Sequence, residues 1–172
     1  MVLLYNFFAR KRAEEAAEGQ PGETGPEAFE VPGVGDGRSH VFVYGTLRRG
    51  LPNHRFLAGA RFVGLGRTVD AHGLYIEAGI PYLAAGEGRY PVVGEVYAVD
   101  PAILAGLDEL EEHPRVYARR PAPIVLDDGR RLIAWVYFAN EPQGAPLASG
   151  DFADVKGASM QSAPSGVGDD AP

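Results

Sequence analysis

The sequence predicts a β-rich α+β domain: a small, mixed, barrel-like sheet with one main helix packed across it. Two observations carry this. Between residues 40 and 140, six or seven short apolar runs are separated by turns containing Gly, Pro or Asp, which is the pattern of short strands. Within that region only one sizeable segment, opening at Asp100-Pro101, has apolar residues at helical spacing behind a helix-start signal. Strands that outnumber helices this heavily bury their apolar face by curling, with the helix covering one side.

Taken in order, Val41 to Tyr44 is an unbroken apolar, β-favouring run, the mark of a strand buried on both faces. Pro52-Asn53-His54 leads into a short helical segment ending near Gly59. Arg61 to Val69, interrupted by Gly64 and Gly66, reads as a bent or bulged strand. Gly73 to Ile76 reads as another short strand, with a turn around Gly79 to Leu83. A Gly-rich loop over residues 85–91 precedes a strand over Val92 to Val99. Asp100 can cap the first free N–H groups of the helix, and Pro101 suits its first position. Ile103, Leu104, Leu107 and Leu110 continue it, and Pro114 forces an end at or before His113. Val116 to Arg119 and Ile124 to Leu126 follow as two strands. Asp127-Asp128-Gly129 then turns the chain into Leu132 to Phe138.

This organisation gives three parts: an extension and flexible linker over 1–38, a domain over 39–140 and a flexible tail over 141–172. Residues 1–18 have an apolar start and a Glu- and Ala-rich end, and read as a weakly ordered helix. The Gly-, Pro- and Glu-rich stretch after it cannot bury enough surface to order itself. No internal repeat is present.

The chain has 172 residues, enough for one domain with a real core. Its formal net charge of -7 argues against a nucleic-acid partner, which selects a basic face. With no cysteine there is no disulfide, thiolate catalysis or Cys-based metal site, and the expected location is cytoplasmic. No stretch approaches the roughly 20 apolar residues of a membrane helix, so no membrane association is expected. The charge follows the N-terminal apolar run instead of preceding it, unlike a secretory signal. His40, His54, His72 and His113 are scattered with no paired spacing, so no metal and no cofactor is expected.

Two stretches carry chemistry. In the first, Gly45 and Thr46 end the Val41 to Tyr44 strand, and small residues there leave successive backbone N–H groups free to form a concave anion seat. Arg48 and Arg49 add positive charge beside it. The same pattern also suits a plain strand-ending turn.

The second is Leu107-Asp108-Glu109-Leu110-Glu111-Glu112. An α-helix advances about 100° per residue, so with Ile103 at about 0°, Leu107 falls near ~40°, Leu104 near ~100° and Leu110 near ~−20°. Glu111 falls near ~80°, inside this apolar arc, while Asp108, Glu109 and Glu112 lie outside it. Burial and the negative end of the helix dipole both disfavour an ionised Glu111 and raise its pKa. The wheel alone equally allows a last-turn side chain that swings out to solvent.

Tyr44-Gly45-Thr46-Leu47, with Arg49-Gly50 and Pro52-Asn53-His54 behind it, resembles the opening motif of the γ-glutamylcyclotransferase-like proteins, most of all their γ-glutamylamine cyclotransferase branch. Leu107 to Glu111, with Pro114 and Tyr117 beyond, resembles the family segment carrying its catalytic Glu, which falls on Glu111. Gly94 to Val99 is also similar. The resemblance runs from about His40 to about Ala139.

It implies a γ-glutamylcyclotransferase-like fold and ring closure of a small-molecule γ-glutamyl amine or amide to 5-oxoproline, with release of the amine. That is lyase or acyltransferase chemistry. Glu111 would be the general acid/base, and Tyr44, Gly45, Thr46 and Leu47 would hold the glutamyl part. Ile80 and Pro81 line the family's pocket, and Tyr117 and Tyr137 resemble pocket residues. Each tyrosine is equally a strand aromatic that packs a core. A non-catalytic module keeping the γ-glutamyl pocket, and the same cyclisation on another γ-glutamylated metabolite, are the alternatives. Glu95, on a strand, is most simply a partner for an Arg across the sheet. Ser39 and Thr46 have no base partner for serine-type hydrolysis.

Overall fold

The computed structural model describes residues 37–155 apart from residues 87 and 89. The proposed N-terminal helix, most of the linker and the last part of the tail lie outside the described residues.

Seven strands are present among them: β1 (Ser39–Val43), β2 (Arg61–Glu77), β3 (Ile80–Ala84), β4 (Tyr90–Val99), β5 (Tyr117–Leu126), β6 (Arg131–Ala139) and β7 (Ala145–Pro146). One α-helix, α1 (Pro101–Leu110), and a 3₁₀ helix (Pro52–Leu57) complete the elements. Neighbours run β2-β4-β1-β6-β5, and β5 pairs back onto β2 through Gly66–Leu126, Arg67–Val125 and Thr68–Ile124. The sheet thereby closes into a five-stranded barrel. It is mixed, because β1 lies antiparallel to β4 but parallel to β6.

β1 is buried on both faces, as its unbroken apolar run requires. Phe42 and Tyr44 point into the barrel core with Leu74, Val92, Val96, Ile124, Leu132 and Val136. Val41 and Val43 point the other way and pack with Leu57, Tyr97 and Leu107. That second cluster is where α1 covers the barrel. Asp100 caps the helix, its Oδ1 accepting from Ile103 N–H at 2.8 Å, and Pro101 holds the first position. Leu107 is the fully buried anchor.

Three expectations are corrected. The stretches read as two strands between Arg61 and Ile76 form one strand, β2, whose register slips between Phe62 and Gly64 and again between Arg67 and Ala71. These bulges bend β2, so its first half closes the barrel and its second half pairs with β3 and β7. Tyr117–Leu126 is also one strand, despite Pro121 and Pro123. It has β2 as a second neighbour only over Ile124 to Leu126, so both prolines sit where one side of the strand is open and no ladder donor is needed. Finally, the turn near Gly79 is confined to Ala78 and Gly79, which both have positive φ. This is the geometry of a tight hairpin, and Ile80 and Pro81 consequently begin a strand.

The domain also extends past residue 140. β7 pairs with β2, Leu147 N–H donates to the Leu74 carbonyl at 2.7 Å, and Phe152 is buried in the barrel core. The tail expected from residue 141 is therefore packed structure as far as Val155. Sequence composition hid this, because the strap is held by a few contacts and not by an apolar run.

Candidate active site

A cavity of about 230 Å³ opens where the C-terminal end of β1 meets the C-terminal end of α1. Its lining includes every residue that the family resemblance assigns to the site: Tyr44, Gly45, Thr46, Leu47, Ile80, Pro81, Glu111, Tyr117 and Tyr137. Phe42, Val43, Asn53 and Leu110 line it too and were not singled out, although Asn53 belongs to the quoted Pro-Asn-His motif.

The loop after β1 is one wall. Gly45 is required there by a close approach, since a Cβ at this position would be driven into the Pro81 ring of β3. The loop's carbonyls are occupied: Gly45 accepts from Arg48 N–H at 3.0 Å and Thr46 from Asn53 N–H at 3.1 Å. Asn53 Nδ2 also donates to Thr46 Oγ1 at 3.0 Å, tying the 3₁₀ helix to the loop. Behind it, His54 Nδ1 lies 3.0 Å from the Leu47 carbonyl. By contrast, no acceptor is found among the described residues for the N–H groups of Gly45, Thr46 and Leu47. A loop whose acceptors are satisfied and whose donors are open is suited to an anion.

Arg48 and Arg49 do not supply charge to this cavity. Arg48 turns away to Asp151 and Glu95, and the Arg49 guanidinium lies over the Phe62 ring, 4.4 Å from its centre. Glu95 is paired with an Arg, as expected, but with one from the loop and not from a neighbouring strand.

The opposite wall is the end of α1. Glu111 is the residue at which the helix stops, with φ −85° and ψ 3°. Glu112 next to it has φ 49°, its N–H donates to the Glu109 carbonyl, and His113 N–H donates to the Asp108 carbonyl at 2.9 Å. This pair of bonds is the Schellman helix stop, here built on a Glu where Gly is usual. It orients Glu111 to the cavity, and the following His113–Pro114 peptide is cis.

The Glu111 carboxylate makes no hydrogen bond or ion pair among the described residues, and burial pushes it up from the usual 4.5 to about 7. Of the two outcomes the helical wheel left open, the side chain takes the inward one.

The three tyrosines form the remaining polar wall, and each has already committed its hydroxyl proton. Tyr44 donates to the Tyr137 carbonyl at 2.8 Å, Tyr117 to the Pro81 carbonyl at 3.0 Å and Tyr137 to Asp108 Oδ1 at 2.7 Å. Burial raises all three pKa values. With these protons engaged, the hydroxyl oxygens have only acceptor capacity left. Asp108, outside the apolar arc of the helix, is held from the far side by Arg119 at 3.2 Å and thereby steadies Tyr137. The sequence carried no signal for this contact, because it joins α1 to two strands far along the chain.

Among the described residues no cluster of metal-ligating side chains is found, and no helix is long and apolar enough to cross a membrane.

The family model described as "Gamma-glutamyl cyclotransferase, AIG2-like" matches residues 41–154, which includes the strap. A Methanocaldococcus jannaschii protein, provisionally named a γ-glutamylcyclotransferase, is 42% identical over 119 residues, covering 69% of this chain and 98% of that protein. The human γ-glutamylaminecyclotransferase is 46% identical over 99 residues, 52% of this chain and 64% of the human protein. Among solved structures, an uncharacterized Pyrococcus horikoshii protein aligns with a TM-score of 0.59 at 30% identity, over 72% of this chain and 98% of that one. A mouse AIG2-like protein aligns with a TM-score of 0.56 at 31% identity, over 66% of this chain and 90% of its own. With its barrel, its loop and its helix-end acid all inside the matched span, the chain belongs to the AIG2-like γ-glutamylcyclotransferase family.

Proposed function

We propose that this protein cyclises a γ-glutamyl amine or amide to 5-oxoproline and releases the free amine, with Glu111 as the general acid/base. The observation that carries this reading is the placement of Glu111: an unpartnered carboxylate, pushed up to about 7, sharing one cavity with the open N–H groups of Gly45 to Leu47.

The reaction needs little else. The substrate's α-amine attacks its own γ-carbonyl carbon, the new C–N bond closes a five-membered lactam, and the original amide C–N bond breaks. The chief requirement is to hold the folded-back conformer. The α-carboxylate would sit on the N–H groups of the Gly45 to Leu47 loop, which fixes the α-amine next to Glu111. Ionised Glu111 takes one ammonium proton, freeing the lone pair, and returns it to the departing nitrogen, while the second proton that the ring nitrogen sheds on becoming the lactam N–H goes to the released amine. A carboxyl with a pKa near neutrality suits both transfers. The tyrosine oxygens are acceptors for the substrate ammonium, and Ile80, Pro81 and Leu110 supply apolar wall.

The test is 5-oxoproline release from γ-glutamyl-ε-lysine, γ-glutamyl amino acids and glutathione, with Glu111→Gln beside the unaltered protein. Turnover on at least one compound, reduced about 10²–10⁴-fold in the variant, is expected. Near-normal turnover in a folded variant would remove Glu111 from the mechanism. No turnover on any compound, with retained 5-oxoproline binding, would favour a non-catalytic module.

A further inference from the structure

We infer that Arg48, Glu95 and Asp151 form a clamp that holds the Gly45 to Leu47 loop in its ligand-ready shape, with Asp151 acting as a positioning residue from the C-terminal strap. The inference rests on the proposed function for its kinetic consequence, but its structural content stands separately.

Arg48 follows the loop directly and its side chain is only 14% exposed. Its Nη1 donates to Asp151 Oδ1 at 2.6 Å, and its Nε lies 3.8 Å from Glu95 Oε1. Glu95 is itself buried on β4. Its Oε2 accepts from Arg49 N–H at 3.0 Å and from the Tyr97 hydroxyl at 2.7 Å. Burial, reinforced by Glu95, pushes Tyr97 up to about 12, so the tyrosine remains a donor. A buried carboxylate with these partners is satisfied, and losing its cation would be costly.

The strap has its own fixings. Val93 N–H donates to the Gly150 carbonyl at 3.0 Å, and Phe152 shares the barrel core with Tyr44. Asp151 thus sits on rigid structure between two anchored neighbours. The clamp ties two distant pieces of chain, β4 and the strap, to the outer side of a loop whose inner side faces the cavity. A row of N–H groups binds an anion only while its peptides keep their mutual orientation, and the clamp maintains it.

If the loop carries the substrate carboxylate in both ground and transition states, loosening it raises KM and leaves kcat nearly unchanged. Asp151→Asn is expected to raise KM about 5–10-fold with kcat within about twofold, and Arg48→Gln to raise it further. Asp128→Asn, which breaks an exposed ion pair to Arg130 in the β5–β6 turn, is the control and should change neither constant. In parallel, amide hydrogen exchange on the full-length protein reads the loop without any substrate. The amides of Arg48 and Asn53, which are bonded to the Gly45 and Thr46 carbonyls of the loop, should exchange about tenfold faster in Asp151→Asn, with β1 unchanged. Unaltered loop exchange in both clamp variants would overturn the inference whether or not the protein is active. Faster exchange with an unchanged KM on an active protein would overturn the positioning role. An unaltered protein without turnover would count against the proposed function alone, and loop exchange would still decide the clamp.

Discussion

The two walls of the cavity are built on opposite principles. The Gly45 to Leu47 wall offers backbone donors, and its stiffness comes from polar fixings: Asn53 on Thr46 and the charged clamp through Arg48. The Glu111 wall offers one carboxyl, and its properties come from apolar packing, with Leu107 fully buried one turn before it. Donors of fixed direction need rigid geometry but little desolvation. A proton-transferring acid needs the reverse, because water or a cation beside it would return its pKa to the ordinary range. The two walls should therefore fail differently when perturbed.

The largest contrast should appear with pH. Glu111 titrates near 7 in the folded protein and near the usual 4.5 when unfolded, so between these values the native state binds more protons. Stability is then unaffected below about pH 4.5, falls as pH rises toward 7 and stays reduced above it, by up to about 3 kcal/mol. Glu111→Gln should match the unaltered protein at pH 4 and exceed its stability at pH 8, as followed by denaturant unfolding at both values. In the active protein, kcat/KM should fall about tenfold per pH unit below the Glu111 pKa, as the free base is lost. A flat stability difference across this range would mean that Glu111 is solvated.

The loop wall breaks by sterics instead. Gly45→Ala forces a methyl group into Pro81, an overpacking worth about 1–3 kcal/mol. It should displace either the loop or β3 and weaken ligand binding at every pH. Unfolding midpoints together with KM check this, and a variant with wild-type values for both would show that β3 yields freely.

The smallest effect lies at the helix stop. Glu112 holds a positive φ that Gly adopts without strain. Its side chain pairs only with exposed Arg115, so little is lost with it. Glu112→Gly should stabilise the protein by about 0.5 kcal/mol and leave Glu111 and its pH profile unchanged. Altered kinetics in this variant would show that the stop itself tunes the acid.

Much of this was legible in the sequence, and for local reasons. The apolar run Val41 to Tyr44 required a strand covered on both sides, and the structure supplies the barrel core on one and α1 on the other. Asp100 and Pro101 dictated the helix start, and helical periodicity put Glu111 on its inner arc. Each of these depends on neighbours within a few residues, where spacing determines direction. Tertiary structure decided what local spacing cannot encode: the merging of two readings into the single bent β2, the tolerance of Pro121 and Pro123 on the open side of β5, and the return of the strap to Arg48. It also settled that Arg48 and Arg49 serve the scaffold and not the cavity, because a long side chain goes to the nearest buried carboxylate or aromatic face, and those arrive from residues 46 or more positions away or from another strand.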